Sequence, residues 1–129
     1  MLRTPDRVPT TAKIFGLSFP QHVEPYAYAV ARDIAPAYNG GYWIFYLLSN
    51  GGFYMAPDME GPFAASWAMN YFEGELAADA LGIVSCLFAF SNLSFQPEPW
   101  AHVCSEQYYL LREYAGYHPE AVNIFRAID

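Results

Sequence analysis

The residues suited to chemistry are few and far apart. Outside the carboxylates they are two cysteines, Cys86 and Cys104, and three histidines, His22, His102 and His118. A thiol becomes a nucleophile beside a base, a cation or a helix N-terminus. The sequence around neither cysteine supplies one, and both thiols fall on apolar helical stripes, where a small buried residue is expected. They form no Cys-x-x-Cys pair. His102 and Glu106 lie one helical turn apart, but two ligands do not make a metal site and His-Glu-x-x-His is absent, so they read as an exposed helical pair. Glu73 and Glu75 flank Gly74 and could form an acid–base couple. At a strand-to-helix turn they are better explained as charges that complement a helix dipole. No phosphate-cradling glycine loop and no Gly-x-Ser-x-Gly elbow occurs. No catalytic, metal-ligating or cofactor-binding residue is assigned, and no cofactor is expected.

The chain that must position these residues has 129 of them, enough for one domain spanning 1–129. It is 54% hydrophobic, with 24 aromatic residues and 15% charged residues, so it should bury a dense core. Thirteen acids against six bases give a net charge of −7, and Lys13 is the single lysine. So little positive charge argues against direct nucleic-acid binding. Imitation of DNA fails on magnitude as well. Covering one face of a molecule about 36 Å across would take about 20 aligned negative charges. The uncharged stretches Ile34 to Pro57 and Ala80 to Pro97 are too interrupted or too short to cross a bilayer. Without an apolar signal-peptide core at the N-terminus, the expected compartment is the cytoplasm.

Four prolines, Pro5, Pro9, Pro20 and Pro25, predict an irregular and partly mobile arm over 1–25, with at most a short strand around Ile14 to Leu17. A short helix is predicted from Tyr26 to Ile34, ended by Pro36. Tyr42 to Ser49 reads as a strand covered on both faces, and Asn50-Gly51 as a type I′ turn into a return strand, Phe53 to Ala56. Phe63 to Asn70 alternates with period two and reads as a third strand. Helices are predicted over Leu76 to Leu93, Pro99 to Gly116 and Pro119 to Ile128. The first is apolar nearly all round, as suits a central helix, with Glu73, Glu75 and Asp79 at its start. The fold class is therefore α+β, a three- to four-stranded antiparallel meander packed against a mainly C-terminal helical layer.

Three blocks carry a family likeness: Tyr38 to Pro57 (YNGGYWIFYLLSNGGFYMAP), Phe72 to Val84 (FEGELAADALGIV) and Tyr109 to Ala121 (YLLREYAGYHPEA), the last continuing to Asp129. Together they resemble the ArdB/KlcA antirestriction family, from about Tyr26 to the end. The resemblance implies a small cytoplasmic protein of plasmids, phages or other mobile elements that relieves type I restriction-modification of incoming DNA without being an enzyme. Its partner would be the type I restriction system, reached directly or indirectly. Two positions depart from the family pattern: Ile44 stands where a polar or charged residue is expected, and Ala77 where a helix-capping Ser is expected, a cap worth about 1 kcal/mol.

The candidate interaction residues are the acids Asp58, Glu60, Asp79, Glu120 and Asp129, expected to be exposed and replaceable without loss of stability. Two other classes stand beside this reading. One is a small hydrolase built on Cys104 or His102; the other is a general protein-interaction module, monomer or homodimer, suggested by the aromatic content.

Overall fold

A computed structural model describes residues 2–3 and 7–129. The chain runs β1 (Leu2–Arg3), α1 (Arg7–Phe15), a π-helical segment (Phe19–Val23), α2 (Glu24–Ile34), β2 (Trp43–Leu47), β3 (Phe53–Pro57), β4 (Phe63–Trp67), a 3-10 turn (Ala68–Asn70), β5 (Phe72–Leu76), α3 (Ala78–Leu93), α4 (Ala101–Ala115) and α5 (Ala121–Ile128). This is the expected α+β class, with antiparallel strands and the predicted C-terminal helices. The strands divide into two sheets, β1-β2-β3 and β4-β5.

The N-terminal arm is not irregular where it is described. Residues 1 and 4–6 of it lie outside the described residues; from Arg7 onward it is helical. Pro9 and Pro20 sit in first turns, where a missing N–H breaks no helical bond, and Pro25 lies where the π segment passes into α2, so the change of bonding pattern falls at its missing N–H. Phe15, Phe19, Val23, Ala27 and Ala31 recur every four residues and all are buried. A four-residue repeat drifts on a 3.6-residue turn, and the wider π segment takes up that drift. The strand considered around Ile14 to Leu17 is the end of α1, closed at Gly16.

Trp43 to Leu47 pairs with Phe53 to Pro57 in the expected hairpin. The turn differs. Leu48 N–H donates to the Gly52 carbonyl (2.8 Å), enclosing a three-residue loop in which Gly51 alone is left-handed, at φ 89°. Asn50 is recruited as a tether, its Oδ1 accepting from Gly52 N–H and its Nδ2 donating to the Leu110 carbonyl on α4. Coverage also differs. β2 is buried on the Trp43 and Phe45 face only, with the departing Ile44 half-exposed. The strand covered on both faces is β3, where Phe15 and Phe19 meet Phe53 edge-on while Tyr54 stacks between Tyr46 and Tyr114.

Period two holds from Phe63 to Trp67, after which the chain turns, and the return strand β5 takes Phe72 to Leu76, where the sequence predicts a strand-to-helix turn and the first residue of the helix. α3 is central as predicted: it packs along β3 and is surrounded by α2, α4 and α5. Its small residues Ala78, Gly82 and Cys86 recur one turn apart. A Cβ on Gly82 would overlap the Met55 carbonyl oxygen and Ala56 Cβ, so helix and sheet approach here too closely for any side chain.

Candidate interaction site

The start of α3 gathers a set of bonded polar side chains, Tyr54, Asp79, His118 and Glu120. Ala77, its N-cap residue, brings no side-chain cap of its own. Glu120, at the head of α5, reaches it from across the fold, its Oε1 accepting the Ala77 N–H at 3.0 Å. The carboxylate takes the N–H of the N-cap residue itself, the donor that a capping-box glutamate takes, and meets the positive end of the helix dipole. It does not stand in for the absent serine, whose hydroxyl would accept from Asp79 or Ala80 N–H.

Asp79 lies in the first turn of α3. Its Oδ1 accepts from the Tyr54 hydroxyl at 2.7 Å and its Oδ2 from His118 Nε2 at 2.8 Å. His118 Nδ1 in turn accepts the backbone N–H of Glu120 at 3.0 Å, which fixes the tautomer: the ring hydrogen is on Nε2. Burial, and next the hydrogen bond to Asp79, push the Tyr54 hydroxyl well above the usual tyrosine range. Tyr54 is therefore a permanent donor, and the chain Tyr54–Asp79–His118–Glu120 locks β3, α3 and the head of α5 together.

This arrangement resembles an acid–base relay but has no outlet. Both ring nitrogens of His118 are engaged and its side chain is only 8% exposed. Burial raises the Cys86 thiol to about 12 and the Cys104 thiol to about 11, so neither is a thiolate near neutral pH. Both are buried, as expected. His102 is exposed, and its Nδ1 donates back to the Pro99 carbonyl rather than joining Glu106. Among the described residues, no group of three or more His, Cys, Asp or Glu is placed to hold a metal, and no helix is long and apolar enough to cross a membrane.

The five candidate acids do not form one exposed patch. Asp58 and Glu60 are exposed and share with Asp79 a shallow depression of about 470 Å³ beside Tyr46, Pro57 and Ala78. Glu120 joins them only through His118 and Ala77. Asp79 and Glu120 are half-buried and bonded, contrary to the expectation of free surface acids. Asp129 lies apart, at the other end of α5, held by both guanidinium nitrogens of Arg112 at 3.1 and 3.0 Å. Arg112 lies over the Phe125 ring, 5.0 Å from its centroid. Glu73 and Glu75 are exposed on β5 rather than gathered at the helix start. Sequence reasoning missed His118 and Tyr54 as partners of Asp79, because one precedes a proline and the other reads as strand core.

The comparisons with known proteins agree with this fold. The family model described as antirestriction protein matches residues 36–129. The antirestriction protein KlcA of Escherichia coli is 43% identical over 117 residues, covering 89% of this chain and 82% of the relative. The putative antirestriction protein YubI of Escherichia coli K12 is 32% identical over 129 residues, covering 96% and 90%. A solved structure superposes with a TM-score of 0.89 at 40% identity, covering 100% of this chain and 92% of the other. It comes from work describing a novel fold for the KlcA and ArdB proteins, with antirestriction activity against type I DNA restriction systems in vivo but not in vitro. From Pro36, which follows α2, to the last residue, the sequence matches that family, and the whole chain shares its fold: it belongs to the ArdB/KlcA antirestriction protein family.

Proposed function

We propose that this chain relieves type I restriction of incoming plasmid or phage DNA, acting in the cytoplasm through a protein-binding surface, without catalysis and without extended imitation of DNA. The observation that carries the reading is the match over the whole chain to a structure from work that describes the KlcA and ArdB proteins as active against type I systems in vivo. That neighbour's lack of activity in vitro favours an indirect route, in which a host component absent from the purified reaction takes part. The occupied nitrogens of His118 and the neutral buried thiols support a binding role over hydrolysis. Charge supports it over mimicry: of the five candidate acids, Asp79, Glu120 and Asp129 are spent on internal bonds. Asp58 and Glu60, with no side-chain partner among the described residues, are the acids left for a contact.

The test is the plating efficiency of unmodified phage on cells with an active type I system, with and without the protein, beside a host lacking restriction. Protection confined to the restricting host is expected. Soluble protein that protects against no type I class would refute the reading and leave a general interaction module. A double change, Asp58→Ala with Glu60→Ala, should reduce protection while moving stability by no more than about 0.5 kcal/mol. Full protection by that variant would remove the acidic depression from the contact.

A further inference from the structure

We propose that the groove between the β4–β5 turn and α5 docks a segment of a protein partner that carries a carboxylate next to an apolar side chain. This deepens the binding-surface reading above and rests on it. The groove has a volume of about 530 Å³, with Tyr71 and Phe72 on one side and Val122 and Arg126 on the other.

Arg126 supplies the charge. Its guanidinium sits over the Phe72 ring, 5.4 Å from the centroid, and its Nη1 donates to Asn123 Oδ1 at 3.1 Å. Asn123 is itself anchored through Nδ2 to the Glu75 carbonyl, so the arginine is held from β5. Among the described residues no carboxylate comes within ion-pair distance of it. Asp129, which also borders the groove, already has both oxygens on Arg112. Lys13 and Arg32 are likewise exposed without an ion pair among the described residues, but Arg126 is the one of the three held over an aromatic ring at this groove. A planar guanidinium fixed in this way is built to accept a carboxylate through two parallel bonds.

Tyr71 supplies the second observation. It is 93% exposed and adopts φ 52°, the one left-handed non-glycine residue among those described. The left-handed backbone disfavours tyrosine, and no core packing holds the ring there. Asn70 Nδ2 donates to the Ala127 carbonyl at 2.6 Å, which ties the turn to α5 and keeps Tyr71 at the groove's rim. Val122, 74% exposed, adds apolar surface on the α5 side. Tyrosine and arginine are the residue types in which interface energy concentrates. Nucleic acid does not fit, because one uncompensated cation releases too few counterions to hold it.

The experiment titrates the isotope-labelled full chain with a synthetic peptide of alternating Asp and Leu, followed by amide NMR. Controls are the same peptide with Asn in place of Asp, and the protein diluted alone. Saturable shifts are expected at Tyr71, Phe72, Val122 and Arg126, with affinity roughly tenfold or more weaker for the Asn peptide, for Arg126→Glu and for Tyr71→Gly, the scale of one lost hot-spot residue. Glycine suits the φ of Tyr71, so that variant should melt no lower than the parent while losing protection in the plating assay. The proposal is overturned by an absence of groove shifts, by equal shifts with the Asn peptide, or by groove shifts on dilution alone, which would make a second copy the occupant. Parent and both variants protecting equally would overturn the groove and leave the antirestriction reading intact. A parent that fails to protect while the groove shifts persist would refute antirestriction and leave the groove standing.

Discussion

Replacing Gly82 by alanine separates the packing of α3 from its helix propensity, because the two make predictions of opposite sign. In an exposed helix interior, glycine to alanine stabilises by about 1 kcal/mol. At Gly82 the new Cβ would lie 2.5 Å from Ala56 Cα, besides overlapping the Met55 carbonyl oxygen and Ala56 Cβ. That is about 1 Å inside van der Waals contact, and two of the three atoms are backbone, so no rotamer change relieves it. α3 must withdraw from β3, loosening Ala78 and Cys86 on the same stripe. Overpacking of this kind costs about 3 kcal/mol, the upper part of the usual range. Set against the propensity gain, the net loss is about 2 kcal/mol, a fall in melting temperature of about 8 °C for a domain of this size. Urea denaturation with the slope held common to parent and variant reads the value directly. Gly116→Ala is the control, since its φ is −62° and its nearest contact, the Glu113 carbonyl oxygen, would be at 3.4 Å. A Gly82→Ala protein as stable as the parent would show that α3 and β3 do not meet as closely as described.

Two further outcomes follow from the start of α3 and from the buried ionisable groups. Glu120→Ala should cost about 1 to 2 kcal/mol through the lost cap on Ala77, and Glu120→Gln, which keeps the acceptor, distinctly less; equal losses in thermal denaturation would assign the effect to charge instead. Cys86, Cys104 and Tyr54 all titrate higher in the folded chain than when unfolded, so unfolding releases their protons and stability, intact below about pH 9, falls as pH rises towards 12. At pH 10.5 Cys86 alone accounts for about 2 kcal/mol, and a Cys86→Ala protein with an unchanged alkaline slope would refute that assignment.

What was legible in the sequence is what short-range physics fixes. Asn-Gly-Gly between two aromatic runs gave the hairpin, and an uncharged apolar run gave α3. Phe72 to Leu76 was missed although Phe72, Gly74 and Leu76 alternate with Glu73 and Glu75. Glycine and glutamate favour strands weakly, and β5 exists because Phe63 pairs with Leu76 and Trp67 with Phe72. The N-terminal helices were hidden by prolines that read as breakers until their positions were known. Asp79 and Glu120 read in the sequence as exposed acids, one at the central helix and one near the C-terminus, and their engagement was not legible. The bonds that occupy them join residues 39 and 43 positions apart.

Those long-range bonds decide which surfaces remain for a partner. A carboxylate that holds a buried tyrosine hydroxyl and a histidine cannot turn to a partner without leaving both unpaired, at a cost of about 1 to 3 kcal/mol for each donor. Asp79 is therefore a poor contact residue even though it borders the depression. Changes there would destabilise the chain, an effect that no loss-of-function screen separates from lost binding. Asp58 and Glu60 carry no such obligation, and Arg126 gives its Nη1 to a neutral amide. The depression at the start of α3 and the groove along α5 are joined through that helix, whose head carries Glu120 and whose far end carries Asp129. Variants of Asp58 and Glu60, or of Tyr71 and Arg126, can thus report on binding with the melting temperature as an internal control, whereas variants of Asp79 and His118 report on the joint between β3, α3 and α5.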